Sequence, residues 1–204
     1  KVIIFGANGG VGRNLTEQAI ERGHHVTAAV RNPAAINIRH ERLRVAQCNV
    51  RDAASVAQVL VGHDVVLCAL GDNARGHTDL HATGARHIGQ AMQAHQVRRL
   101  IFLSNFGVLG ETAHDFRGKA LLFIAKRFLR HTLADHLRAL DEIQQRVADW
   151  VVGRPLPLTN GPLTGRYRTA VDGLPVRGLR IARADVAEFM LQQAISDRFL
   201  RQIP

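Results

Sequence analysis

The sequence predicts a three-layer α/β fold, a doubly wound parallel sheet with helices on both faces. Three observations point to it. Short apolar runs rich in β-branched residues alternate with helical patterns along the first half of the 204 residues. Those runs are nearly continuously apolar, as in strands buried on both faces, and do not alternate between apolar and polar. A glycine-rich turn also stands directly between the first run and the first helical pattern, the place where a strand hands over to a helix in such folds.

The elements follow in order. VIIF at 2–5 reads as the first strand, the turn at 6–12 follows, and a helix is expected over 11–22, with Gly23 as a left-handed C-terminal cap. Residues 25–30 (HVTAAV), 43–48, 65–69 and 100–103 read as strands two to five, with helices at about 52–61 and 79–95 between them. Asp52 and Asp79 stand where N-caps or first-turn acids belong. From 106 to 147 the pattern is mainly helical and charged. LLFIAKRFL at 121–129 sets apolar residues on one face and Lys126, Arg127 and Arg130 on another, as a surface helix packed on a sheet would. A sixth strand is expected at 150–153, then a loop rich in Pro, Gly and Thr, and a last helix from about 183–185 to 196. Residues 1–204 read as one domain, with 106–135 and 154–180 as insertions on the substrate side.

Composition narrows the function classes. Apolar residues make up 46% and no apolar run nears the roughly 20 residues of a membrane span, so no membrane role is expected. The first residues lack the sections of a signal peptide. Cys48 and Cys68 lie in apolar runs that read as core strands, so no disulfide framework or metal ligand set is expected, and a cytoplasmic setting fits. The net charge of +10 favours anionic partners, but the arginines are dispersed from Arg13 to Arg201, which argues against a dedicated nucleic-acid role.

The turn carries the chemistry. Gly6, Gly9 and Gly12 have G-x-x-G-x-x-G spacing. Gly6 permits the sharp exit from the strand, Gly9 and Gly10 leave room for a pyrophosphate against the backbone, and Gly12 permits close helix–sheet contact. Ala7, Asn8 and Val11 complete the loop, whose helix N-terminus offers free N–H groups to an anion. About 20 residues beyond the glycines, dinucleotide sites for NAD carry an acid that grips the ribose. Here the second strand ends in Arg31, which suits a 2′-phosphate and so NADP(H), with Arg13 as a second donor. Further strand ends should line the same crevice. Asn49 and Val50 are assigned to the adenine, and Leu70, Gly71 and Asp72 to the ribose. Ser104, at the end of strand five, is the candidate catalytic residue, able to orient a carboxamide or a carbonyl, or simply to cap local backbone.

With these residues in place, the sequence resembles the atypical short-chain dehydrogenase/reductases of the NmrA-like group, and especially the biliverdin-IXβ reductase/flavin reductase branch. The resemblance rests on GANGGVG at 6–12, VRNP at 30–33, ALG at 69–71, GARHIGQAMQAHQV at 84–97, LSNF at 103–106, DHLR at 135–138, GRPLPL at 153–158, GPLTGRY at 161–167 and RADVAEFML at 183–191. It implies a Rossmann fold, NADP(H) held by the glycine turn and Arg31, and a nicotinamide near Ser104 and Pro155, Leu156, Pro157 and Leu158. It also implies reduction of a small planar acceptor, a flavin, quinone or tetrapyrrole, by a monomer or homodimer. Pro157 stands where that branch carries a histidine, a departure that bears on tetrapyrrole specificity.

Standard members of the superfamily use a Tyr-x-x-x-Lys pair to exchange a proton with an alcohol or ketone. The one tyrosine here is Tyr167 and no such pair exists, so alcohol oxidation by that route is not expected. A flavin or quinone takes its proton from solvent, which makes ring positioning most of the catalysis. Two alternatives stay open, a non-catalytic NADP(H)-binding redox sensor and a nucleotide-sugar epimerase-like protein, the second disfavoured by the same missing pair. His77 and His81 are expected to be solvated or part of a substrate loop, not metal ligands. His136 is expected at the surface, with a proton-donor role as the alternative.

Overall fold

The computed structural model describes residues 1–71, 77–109, 119–120, 123, 127, 129–171 and 180–204. Asp72 and most of 121–129 lie outside the described residues, so the readings placed on them have no structural counterpart here.

The strands are β1 (Val2–Phe5), β2 (Val26–Val30), β3 (Leu43–Gln47), β4 (Val65–Cys68), β5 (Arg99–Leu103) and β6 (Asp149–Gly153). They form one sheet in the order β3-β2-β1-β4-β5-β6, with every pair parallel. The order reverses between β1 and β4, and such switch points are where open α/β sheets bind ligands. Helices α1 (Gly10–Glu21), α2 (Ala53–Leu60), α3 (Leu80–Ala94), α4 (Arg130–Arg146) and α5 (Arg183–Ile195) flank the sheet.

Strand alternation divides the core in two. Ile3 and Phe5 join Val56, Leu60, Ile88, Met92 and Ile143 on the face covered by α2, α3 and α4. Val2 and Ile4 join Leu15, Ala19, Val186 and Met190 on the face covered by α1 and α5. This is the three-layer architecture expected from the continuously apolar runs.

Local signals act as expected at two helix ends. Gly23 has φ +84° and its N–H bonds Ile20 O at 2.9 Å, closing α1. Asp52 Oδ1 accepts from Ala54 N at 3.0 Å and Ser55 N at 3.3 Å, capping α2. Asp79 departs from expectation. It occupies the cap position of α3 but makes no capping bond, its carboxylate being taken by Arg51 and by Thr83 Oγ1 at 3.4 Å. Its place is filled by Asp135 of α4, which accepts from His81 N at 2.8 Å and Ala82 N at 3.1 Å.

The segment after β6 is not all loop. Leu158–Thr159 (β7) pairs in parallel with Ile181–Ala182 (β8), forming a small second sheet that leads directly into α5. Leu158 is therefore a strand residue. Asp185 stitches this region from α5, its Oδ1 accepting from Thr164 N at 2.8 Å and Gly165 N at 2.9 Å and its Oδ2 from Thr164 Oγ1 at 2.8 Å.

Candidate functional site

The carboxyl ends of the strands place Gly6, Arg31, Asn49, Leu70, Ser104 and Pro155 along one edge of the sheet. Gly6 leaves β1 at φ +81°, and a Cβ there would lie 2.7 Å from Ala69 C and 2.9 Å from Leu70 N. Gly12 is equally confined, since its Cβ would sit 2.7 Å from Ala7 Cα and 2.8 Å from Gly6 C. Gly6 thus presses the turn onto the end of β4, and Gly12 presses α1 onto the turn. Ala7 and Val11 are buried in the α1 face of the core, so only their backbone faces the turn.

The first helical turn is unsaturated. Gly9 is the cap residue without a side-chain bond, and no acid stands in the first turn of α1. The first backbone bond of the helix is Arg13 N to Gly9 O at 2.9 Å, and among the described residues the amides of Gly10, Val11 and Gly12 meet no acceptor. Free amides at the positive end of a helix dipole suit an anion. Arg13 lies beside them with its Nε on Asn8 O at 3.0 Å. Asn8 itself is exposed.

Arg31 is exposed just past β2, and among the described residues its guanidinium has no partner. Asn49 Oδ1 already accepts from Arg51 N at 3.1 Å, which leaves one lone pair and the amide group outward. Val50 is buried and its carbonyl accepts from His87 Nδ1 at 2.8 Å. Leu70 is half-buried against Gly84 of α3, and Gly71 is exposed with open space around its Cα. Ser104 is buried; its N–H bonds Gly153 O at 2.8 Å, locking the ends of β5 and β6, while its hydroxyl has no partner among the described residues.

Between β5, β6 and α5 lies an apolar slot lined by Leu103, Phe106, Gly153, Pro155, Leu156, Ile181 and Phe189. Tyr167 stands in its wall. The phenol donates to Glu188 Oε2, and burial with the Glu188 carboxylate beside it pushes its pKa up. That is the reverse of an activated catalytic tyrosine, whose pKa is brought down. Arg154 and Arg168 also line the slot, and Arg168 is shared with an adjoining groove lined by Arg166, Arg180, Leu156 and Tyr167.

A polar cluster that sequence reading missed braces the β4 end from behind. His81 is buried, not solvated, because its Nδ1 lies 3.0 Å from Asp135 Oδ2 and its Nε2 3.4 Å from Leu70 O. His136 is likewise buried rather than at the surface, its ring 3.9 Å from that of His81 and edge-on to Phe102. Burial drives the His136 pKa down to about 3, with His81 adding to the effect and Asp135 opposing it. Burial works against the Asp135 carboxylate, but hydrogen bonds from the His81 ring, His81 N and Ala82 N outweigh it and hold the group below the usual range. Asp135 lies 54 residues from His81, so no local pattern could have paired them. The His77 ring lies 4.2 Å from that of His131, tilted 50° to it, and among the described residues no cluster fits a metal ion.

A family model described as NAD(P)H-binding matches residues 6–197. The chain belongs to this NAD(P)H-binding family. The match runs from the glycine turn through α5, and it agrees with the resemblance to atypical short-chain dehydrogenase/reductases. Among its relatives is an uncharacterized chloroplastic protein of Arabidopsis thaliana, 25% identical over 208 residues, spanning 97% of this chain and 72% of that protein. Solved structures give the same fold. A short-chain dehydrogenase/reductase of Veillonella parvula in complex with NADP superposes with a TM-score of 0.79 at 21% identity, covering 99% of this chain and 91% of that one. ChuY, an anaerobillin reductase of Escherichia coli O157:H7, does so with a TM-score of 0.76 at 21% identity, covering 99% and 94%. The NAD(P)H-binding chain thus shares its fold with these proteins, and among its described residues no helix is long and apolar enough to cross a membrane.

Proposed function

We propose that this chain is an NADPH-dependent reductase that delivers hydride to a flavin, a quinone or a similar planar acceptor. The observation that carries the reading is the slot at the ends of β5 and β6. Its wall is mainly apolar, suited to a flat ring, with Arg154 and Arg168 also among its lining residues, and its one phenol is bound to Glu188 with its pKa pushed up. A site so built positions a ring without offering it a proton, which suits acceptors that protonate from water.

The bound dinucleotide would supply the hydride. In this reading the amides of Gly10, Val11 and Gly12 hold the diphosphate, with Gly6 and Gly12 keeping the turn tight enough to present them. Arg31 grips the 2′-phosphate, and Asn49, Val50, Leu70 and Gly71 border the adenosine. Ser104, whose hydroxyl has no partner among the described residues, and the 155–158 segment orient the carboxamide end beside the slot. Two buried free thiols fit the reducing cytoplasm proposed from sequence.

Stopped-flow mixing with NADPH and free FMN or menadione tests the activity, with acceptor-dependent oxidation as the expected result. The unavailing phenol equally favours a redox sensor. Ordinary dinucleotide affinity without turnover on either acceptor at any pH would replace the reductase with that second reading. Arg31→Asp should weaken NADPH binding by about 10- to 100-fold while leaving NADH nearly unchanged, the value of a charge-assisted hydrogen bond. Equal losses for both would remove Arg31 from the phosphate site.

A further inference from the structure

We infer that Arg183, the first residue of α5, is a binding residue for the dinucleotide diphosphate, reaching the glycine turn from the far end of the chain. This rests on the nucleotide reading above and deepens it, since Arg183 falls outside the glycine motif and strand-end positions that define that reading.

The geometry begins at Gly10. A Cβ there would lie 2.5 Å from Arg183 Cδ and 2.7 Å from Arg183 Nε, so the arginine side chain lies directly across the first helical residue of α1. Two anchors hold it in place. Gln18 of α1 donates from Nε2 to Ala184 O at 2.9 Å, pinning the first turn of α5 against α1. Arg183 Nη1 donates to Asn160 Oδ1 at 2.6 Å, which fixes the head and leaves its other N–H groups unbonded among the described residues.

The electrostatics then require explanation. The N-terminus of a helix carries partial positive charge and disfavours cations. Here the first turn of α1 has no acid, three amides without acceptors and two arginines, Arg13 and Arg183, beside it. Arg183 forms no ion pair with any described carboxylate that would offset this crowding. An anion between the amides and the guanidinium resolves it, and in an NAD(P)H-binding chain the anion at this corner is the diphosphate. Because Asn160 follows β7, the same contact links the phosphates to the segment that ends in the slot. Gly10 is then explained twice over, by the arginine lying on it and by the phosphate the arginine meets.

Calorimetry on the full chain separates this role from that of Arg31. The probes are NADP⁺, NAD⁺ and adenosine 2′-monophosphate, which carries the 2′-phosphate but no diphosphate. Arg183→Met should weaken NADP⁺ and NAD⁺ by the same factor, about tenfold or more, and leave adenosine 2′-monophosphate unchanged. Arg31→Asp should show the opposite selectivity. Unchanged dinucleotide affinity in Arg183→Met would overturn the inference, as would a loss of the monophosphate equal to that of NADP⁺, which marks a merely structural role. If the Met variant does not fold, Arg183→Gln, which keeps a polar side chain for Asn160 but removes the charge, is measured against the same outcomes. Wild-type protein that takes up no dinucleotide would instead sink the nucleotide reading itself, so the two failures are distinguishable.

Discussion

The buried His136 makes a prediction whose size follows from its surroundings. Among the described residues its Nδ1 has no hydrogen-bond partner, its ring is packed between His81 and Phe102, and its pKa is driven down to about 3. In the unfolded chain a histidine titrates near 6.5. Between about pH 6.5 and 3 the unfolded chain therefore binds a proton that the folded chain refuses. Stability is full above that window and falls as the solution is acidified through it. At pH 4.5 the loss relative to pH 8 is on the order of 3 kcal/mol. Asp135, the other charged group facing the ring, acts in the same direction at lower pH: its depressed pKa contributes stability above about pH 4 that is lost beneath it.

The test is His136→Phe, which removes the titrating group without stranding a partner, because Nδ1 has none. Repacking the larger ring costs stability, but equally at both pH values. Urea unfolding followed by fluorescence of Trp150, the one tryptophan and itself buried, reads the transition at pH 8 and pH 4.5. The wild type should lose roughly 3 kcal/mol more than the variant on acidification, a midpoint difference of about 1 M urea. Parallel losses in the two proteins would show that the neutral buried imidazole is not the source of acid sensitivity. The depressed His24 and His63 are present in both proteins and cancel in the difference.

Two further outcomes test the packing behind the site. Gly12→Ala should cost about 3 kcal/mol, read in the same urea titration, because its Cβ would meet the backbone of Gly6 and Ala7, which cannot swing aside as a side chain can. A near-neutral substitution would mean that the turn is looser than its contacts imply. Cys68, buried in the sheet with its thiol pushed up to about 12, should resist Ellman's reagent at pH 8 until the chain unfolds, and a fast native reaction at Cys68 would contradict its burial.

Much of the fold was legible because its signals are local. The six main strands fall within one or two residues of the runs that announced them, since a strand buried on both faces has to be apolar throughout. Gly23 and Asp52 were legible for a related reason, each meeting backbone groups a few residues away. Asp79 shows where that logic ends. Its position is that of a cap, yet Arg51 and Thr83 take its carboxylate, and α3 is capped from α4 by Asp135. The β7–β8 pair was illegible as well, because two-residue strands carry no periodicity and their pairing joins Leu158 to Ile181. His81 and His136 were assigned to water because polar residues usually are. Burial became possible only once the fold brought Asp135, Leu70 O and Phe102 around them.

The candidate site divides along the same line, and Gly10 marks the division. Sequence alone explains this glycine by the approach of a phosphate, since the motif describes a turn meeting a ligand. The fold supplies a second cause, an arginine from α5 lying over the same Cα, which no motif ending at Gly12 can encode. The two causes are compatible only if the arginine and the phosphate meet. A side chain at this position would displace Arg183 and narrow the anion's approach together, so Gly10 would be a poor place to separate them. The separation has to be made at the other end of the chain. Changing Arg183 while Gly6, Gly10 and Gly12 stay intact leaves the turn as it is and removes only the cation that the turn does not explain.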